Sequence, residues 1–150
     1  MARRHQTVSP LDAHLGFWLR FVSNQVSAGF SAELAARGVS VTEWVALRSL
    51  YDGIDASHGS LVDALGMTKG AVSKIVARLR ERGLVAHAGA RAQGLALTPA
   101  GRALVPKLAA CADANDARFF GHLDDARREA LLALLKEMVQ VHQMKDVPLA

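Results

Sequence analysis

The feature that most constrains this chain is a change of hydrophobic period near residue 83. Ser60-Leu61-Val62-Asp63 forms a capping box that starts a short helix, which Gly66 must stop. Thr68 caps the next helix, whose Val72, Ile75, Val76 and Leu79 share one face, with Gly83 as its C-terminal stop. Beyond Gly83 the spacing alternates: Leu84 and Ala86, then Leu95 and Leu97, flank a small-residue segment containing Gly89 and Gly94. The predicted order is short helix, tight turn, longer helix, short β-hairpin.

Helical signals surround this unit. Ser9-Pro10-Leu11-Asp12 announces a first helix, with Ser9 as cap and Pro10 at the first helical position. Leu11, Leu15, Trp18, Val22 and Val26 recur at spacings of four and three, so this helix is amphipathic and runs to near Gly38. Ser40-Val41-Thr42-Glu43 is a second capping box, opening a helix with Trp44, Leu47 and Leu50 or Tyr51 on its buried stripe. Thr98-Pro99 starts a helix carrying Leu104, Leu108, Cys111 and Phe119, and a last one begins near Asp124 or Asp125. With 51% apolar residues but only 5% aromatic, the core is filled mainly by Leu, Val and Ala. The expected fold is mostly α with a small β-hairpin, one domain over 1–150: an N-terminal helix at 9–38, a lobe at 40–98 and C-terminal helices at 99–145.

Charge is concentrated in the lobe. Between Met67 and Arg102 seven Lys and Arg face Glu81 alone, a local net charge of +6 in a chain of +4, which leaves the rest near −2. A basic island on a slightly acidic body suits a surface that contacts phosphates. On a helical wheel, the face of the 68–82 helix opposite its apolar stripe presents Gly70, Ser73, Lys74, Ala77 and Glu81, flanked by Lys69 and Arg78. Small residues permit close approach to a major groove, and Ser and Lys can contact base edges or phosphates. An ordinary solvated helix face would look similar in isolation; the preceding short helix and following hairpin favour a winged helix-turn-helix that reads double-stranded DNA.

The segments GSLVDALGMTKGAVSKIVARLRERGLV at 59–85 and LALTPAG at 95–101 resemble the MarR-type (multiple antibiotic resistance regulator) transcription factors, and the element order does so over nearly the whole chain. The resemblance implies a transcription regulator, a repressor, whose N- and C-terminal helices interlock in a homodimer that reads a palindromic operator; the short apolar runs and the N-terminus without a secretory signal place it in the cytoplasm. Independently, amphipathic helices flanking so small a lobe need apolar partners, supplied by a second copy or by their own lobe. Carried over by position, Thr68, Lys69, Gly70, Ser73, Lys74 and Arg78 are the expected DNA contacts. The wing departs from the family pattern: His87 and Gly89-Ala90-Arg91 stand where relatives carry more arginine, so Arg91 is the one expected tip contact. The resemblance also implies a small aromatic or lipophilic effector, with His14, Trp18, Trp44 and Leu47 as the residues placed to line its pocket; for each residue singly the preferred reading is core packing of the tryptophans and Leu47 and surface exposure of His14.

Other classes find little support. The residues form no Gly-x-Ser-x-Gly elbow, phosphate-binding loop, His-Glu-x-x-His or dinucleotide fingerprint, so no catalytic site and no cofactor is expected. The single Cys111 reads as a small buried apolar residue, and the six histidines lack metal spacing, so no metal site is expected. The longest apolar runs fall short of the roughly twenty residues that span a bilayer, and the basic N-terminus lacks the apolar stretch of a secretory signal, so no membrane partner is expected. The remaining alternative is a helical protein-interaction module of the same fold with weak or lost DNA binding, which the weakened wing tip favours.

Overall fold

The computed structural model describes residues 8–52, 57–89 and 94–144. Its elements are a 3-10 turn (Leu11–Ala13), α1 (Leu15–Ala35), α2 (Val41–Tyr51), α3 (His58–Leu65), α4 (Lys69–Glu81), β1 (Val85–His87), β2 (Leu95–Leu97), α5 (Pro99–Phe120) and α6 (Asp125–Val141). The two strands form one antiparallel hairpin in which Val85 faces Leu97 and His87 faces Leu95, and Ser57 adds an isolated bridge to Gly94. Among the described residues, no helix is long and apolar enough to cross a membrane.

Three element boundaries differ from those read in the sequence. The Ser9-Pro10 signal produces only the 3-10 turn; His14 is extended, and α1 proper starts at Leu15. The Trp18 indole N–H donates to the Asp12 carbonyl at 2.8 Å, which ties the turn across the start of α1. α3 begins at His58 rather than after Ser60, because Ser57 is the cap: Ser57 Oγ accepts from the Ser60 amide, and Ser60 Oγ accepts from the Ser57 amide. In the hairpin, Val85 rather than Ala86 points inward, so Ala86 is exposed and the buried Leu84 precedes the strand.

The core lies inside the lobe. Leu47 and Leu50 of α2, Leu61 and Leu65 of α3, the four apolar residues of α4, Val85, Leu95, and Val105 and Leu108 of α5 form one buried cluster, joined by Leu34 from the end of α1. Truncating any of the fully buried leucines would cost about 2–5 kcal/mol, through lost transfer free energy and the cavity left behind. α5 packs close behind the hairpin, where a Cβ on Gly101 would overlap the Leu84 carbonyl oxygen. It also crosses α1, with Asn115 Nδ2 donating to the Val26 carbonyl at 3.1 Å.

α1 and α6 are poorly covered. Leu34 is the one buried residue of α1, and none of α6 is buried among the described residues. Leu15 (78% exposed), Phe21, Val22, Leu132 and Leu134 stand open along these two helices.

Candidate nucleic-acid interface

The sharp entry into α4 begins at Gly66, which ends α3 in the left-handed conformation at φ 60° and ψ 28°. A side chain is disfavoured there, so glycine supplies the turn at no steric cost. Two residues later Thr68 turns the chain into α4, its hydroxyl accepting from the Ala71 amide at 3.2 Å. Val72, Ile75, Val76 and Leu79 then anchor the inner face in the core, which fixes the rotation of the helix about its own axis.

That rotation turns Thr68, Lys69, Gly70, Ser73, Lys74 and Arg78 to solvent together. A Cβ built on Gly70 meets no heavy atom within 4 Å, so the first turn of α4 is open to the approach of another surface. Two of the outward residues are engaged by neighbouring helices. His58 Nε2 lies 2.9 Å from Ser73 Oγ, and Arg78 Nη1 lies 3.7 Å from the carboxylate of Glu43. Arg91 lies outside the described residues.

Glu43 is the residue at this site whose role spacing did not reveal. It reads locally as the acidic member of the α2 capping box, and it performs that role, accepting from the Ser40 amide at 3.0 Å. It is also only 4% exposed and accepts from Arg82 at 3.4 Å, so its charge faces two guanidiniums, Arg78 in α4 and Arg82 at its C-terminal cap. The four-residue separation of Arg78 and Arg82 places both on one side of α4 and was the available signal; their meeting with α2 depends on tertiary packing.

Glu43, Arg78 and Arg82 line an open cleft of about 1070 Å³ together with Ser23, Ser27 and Phe30 of α1. None of the four residues expected at an effector pocket lines it. Trp44 sets its ring edge-on to the cleft-lining Phe30 at 6.4 Å between centroids. Leu47 is fully buried in the core. Trp18 is half-exposed beside Phe17, and His14 is exposed, with Nδ1 3.1 Å from the Pro10 carbonyl. Among the described residues no group of three or more His, Cys, Asp or Glu is placed to hold a metal ion.

A short helix, a left-handed glycine turn, a second helix with a cleared outer face and a hairpin behind it define a winged helix-turn-helix protein. A profile of the Helix-turn-helix family matches residues 28–148. The HTH-type transcriptional repressor Rv2887 of Mycobacterium tuberculosis is 28% identical over 131 residues, spanning 85% of this chain and 94% of the relative. The crystal structure of that MarR family protein in complex with DNA superposes with a TM-score of 0.72 at 28% identity, over 85% of this chain and 98% of the other. Bordetella bronchiseptica BpsR, described for the regulation of its DNA binding by 6-hydroxynicotinic acid, gives a TM-score of 0.73 at 28% identity, over 88% of this chain and 98% of the other. The chain belongs to the Helix-turn-helix family, and within it to the MarR-type winged-helix transcription regulators.

Proposed function

We propose that this protein is a cytoplasmic transcriptional repressor that binds a palindromic DNA operator as a homodimer, with α4 of each copy in a major groove. The observation that carries this reading is the outer face of α4: Thr68, Lys69, Gly70, Ser73 and Lys74 are exposed side by side on a helix whose rotation the core fixes. The DNA complex of the similar Mycobacterium tuberculosis protein supports it. Lys69 and Lys74 add affinity through phosphates, and Ser73 and Lys74 reach base edges, close approach being allowed by Gly70. Arg91 is the proposed wing contact.

The homodimer reading rests on the apolar surfaces of α1 and α6, which a lone chain leaves in water. A second copy laying its own α1 and α6 against them would bury both sets and set the spacing of the two reading helices. Release by a small aromatic or lipophilic effector is part of the same proposal, supported by the regulation described for BpsR. The cleft between α1 and α4 gives such a molecule a position between the dimer region and the reading helix. Trp44, packed on the cleft-lining Phe30, would report its arrival; Trp18 lies in the first turn of the same helix α1, and His14 is its N-cap. An effector acts here only by binding more tightly to a lobe arrangement that mismatches the operator.

Titration of the purified protein against its own upstream intergenic DNA and an unrelated duplex, across a salt series, tests the reading. A steep salt dependence with clear preference for the upstream DNA is the expected result. Equal, weak binding to both duplexes would overturn it in favour of a protein-interaction module.

A further inference from the structure

The Ser73 hydroxyl lies in the middle of the outward face of α4, yet its hydrogen-bond partner comes from another helix. His58, the first residue of α3, places Nε2 2.9 Å from Ser73 Oγ. Neither helix needs this bond for its own termination, since α3 is capped by the Ser57–Ser60 pair and α4 by Thr68. His58 is half-buried, whereas Ser73 is exposed, so the link runs from a partly held ring to a side chain directed at solvent. We propose that His58 is a specificity-positioning residue, which fixes the rotamer of the Ser73 hydroxyl and takes up one of its hydrogen-bonding functions, leaving the other for a base edge. This rests on the reading of α4 as the DNA-reading helix.

The physical reason lies in the hydroxyl itself. A serine Oγ–H carries one proton and two lone pairs, and when free to rotate it satisfies a donor or an acceptor equally. Base pairs are told apart in the major groove by their patterns of donors and acceptors, so a freely rotating hydroxyl discriminates poorly. His58 removes that freedom by occupying one of its functions. With the ring proton on Nε2, Ser73 Oγ accepts from His58 and turns its own proton outward, toward an acceptor such as guanine O6 or a purine N7. With Nε2 bare, Ser73 donates to His58 and presents lone pairs, which match the amino group of cytosine or adenine. Each arrangement selects one class of base edge, and the cost of ordering the side chain is met before DNA arrives.

The test is selection of bound duplexes from a pool of randomised DNA by wild type, His58→Ala, His58→Gln, Ser73→Ala and the double variant. His58→Ala is expected to lower discrimination at one base position of each half-site by about three- to tenfold. Its affinity for an unrelated duplex and its salt slope stay as in wild type. His58→Gln, whose terminal amide can reach the same oxygen, restores the preference, and adding His58→Ala to Ser73→Ala changes nothing further. Unchanged preferences in His58→Ala overturn the proposal, as does a uniform loss over all sequences, which damage to α3 or a lost phosphate contact would give. An equal effect of His58→Ala in the Ser73→Ala background also overturns it, because His58 would then act on DNA directly. A wild-type protein with no base preference at all removes the DNA-reading assignment itself, and this proposal with it.

Discussion

Arg82, which follows the last turn of α4, reaches across to the carboxylate of Glu43 on α2 at 3.4 Å, and the same carboxylate closes the α2 capping box on the Ser40 amide. One buried acid thus terminates one helix and fixes the C-terminal end of another. Removing it leaves an amide at the start of α2 without its acceptor and two guanidiniums without a counter-charge. Both arginines retain water contact, so the loss stays well below that of a fully buried ion pair. Glu43→Ala is expected to lower stability by about 1–2 kcal/mol, combining a capping loss with a lost charge-assisted bond. Glu43→Gln keeps an acceptor for Ser40 and loses about half as much. Urea unfolding midpoints check this, and a Glu43→Ala protein as stable as wild type would contradict it.

Gly70 separates stability from recognition. Its Cβ position is empty, so Gly70→Ala costs nothing in the free protein and raises stability by about 0.5 kcal/mol, through reduced freedom of the unfolded chain. Gly70→Leu also folds, because nothing stands in its way, but it puts a bulky side chain at the tip of α4. Operator affinity is expected to fall at least tenfold for Gly70→Leu with the melting temperature preserved. Wild-type affinity for Gly70→Leu would mean that this end of α4 faces away from DNA.

The exposed apolar residues of α1 and α6 predict the state of assembly. Phe21→Glu or Leu134→Glu replaces a side chain that a lone chain leaves open, so neither substitution should unfold the protomer. Each is expected to shift the protein from dimer to monomer in sedimentation velocity at micromolar concentration, and to weaken operator binding in parallel. Unchanged sedimentation of both variants would show that these faces do not form the contact.

Cys111 is 3% exposed and accepts a hydrogen bond from Arg37 Nε at 2.8 Å, which links α5 to the segment after α1. Burial keeps it from reagents. Native protein is therefore expected to label with a maleimide far more slowly than urea-unfolded protein, and Cys111→Ser to bind operator within about twofold of wild type. Rapid labelling of the native protein, or loss of binding in Cys111→Ser, would contradict this placement.

What could be read directly from the residues was what local chemistry decides. The Ser40–Glu43 box, the Thr68 cap and the Gly66 turn each depend on three or four neighbours, and the wheel of α4 follows from its period. Competing local signals produced the boundary differences. Ser57 and Ser60 both have capping chemistry, and their mutual pairing started α3 three residues early. Ser9-Pro10 resembles a helix start but led only to a single 3-10 turn, which the Trp18 indole holds through a contact six residues away. In β1 the alternation of Leu84 and Ala86 hid the inward Val85, since Leu84 is buried before pairing begins. The links from Glu43 to Arg82 and from His58 to Ser73 span 39 and 15 residues, and no local pattern encodes them.

The most direct measurement is the affinity of Lys74→Ala for the upstream DNA across a salt series, beside wild type. If the outward face of α4 enters the groove, Lys74→Ala weakens binding by about tenfold, and the slope of log affinity against log salt falls by about one unit per site contacted. Binding indistinguishable from wild type at every salt concentration would show that this face of α4 does not meet DNA.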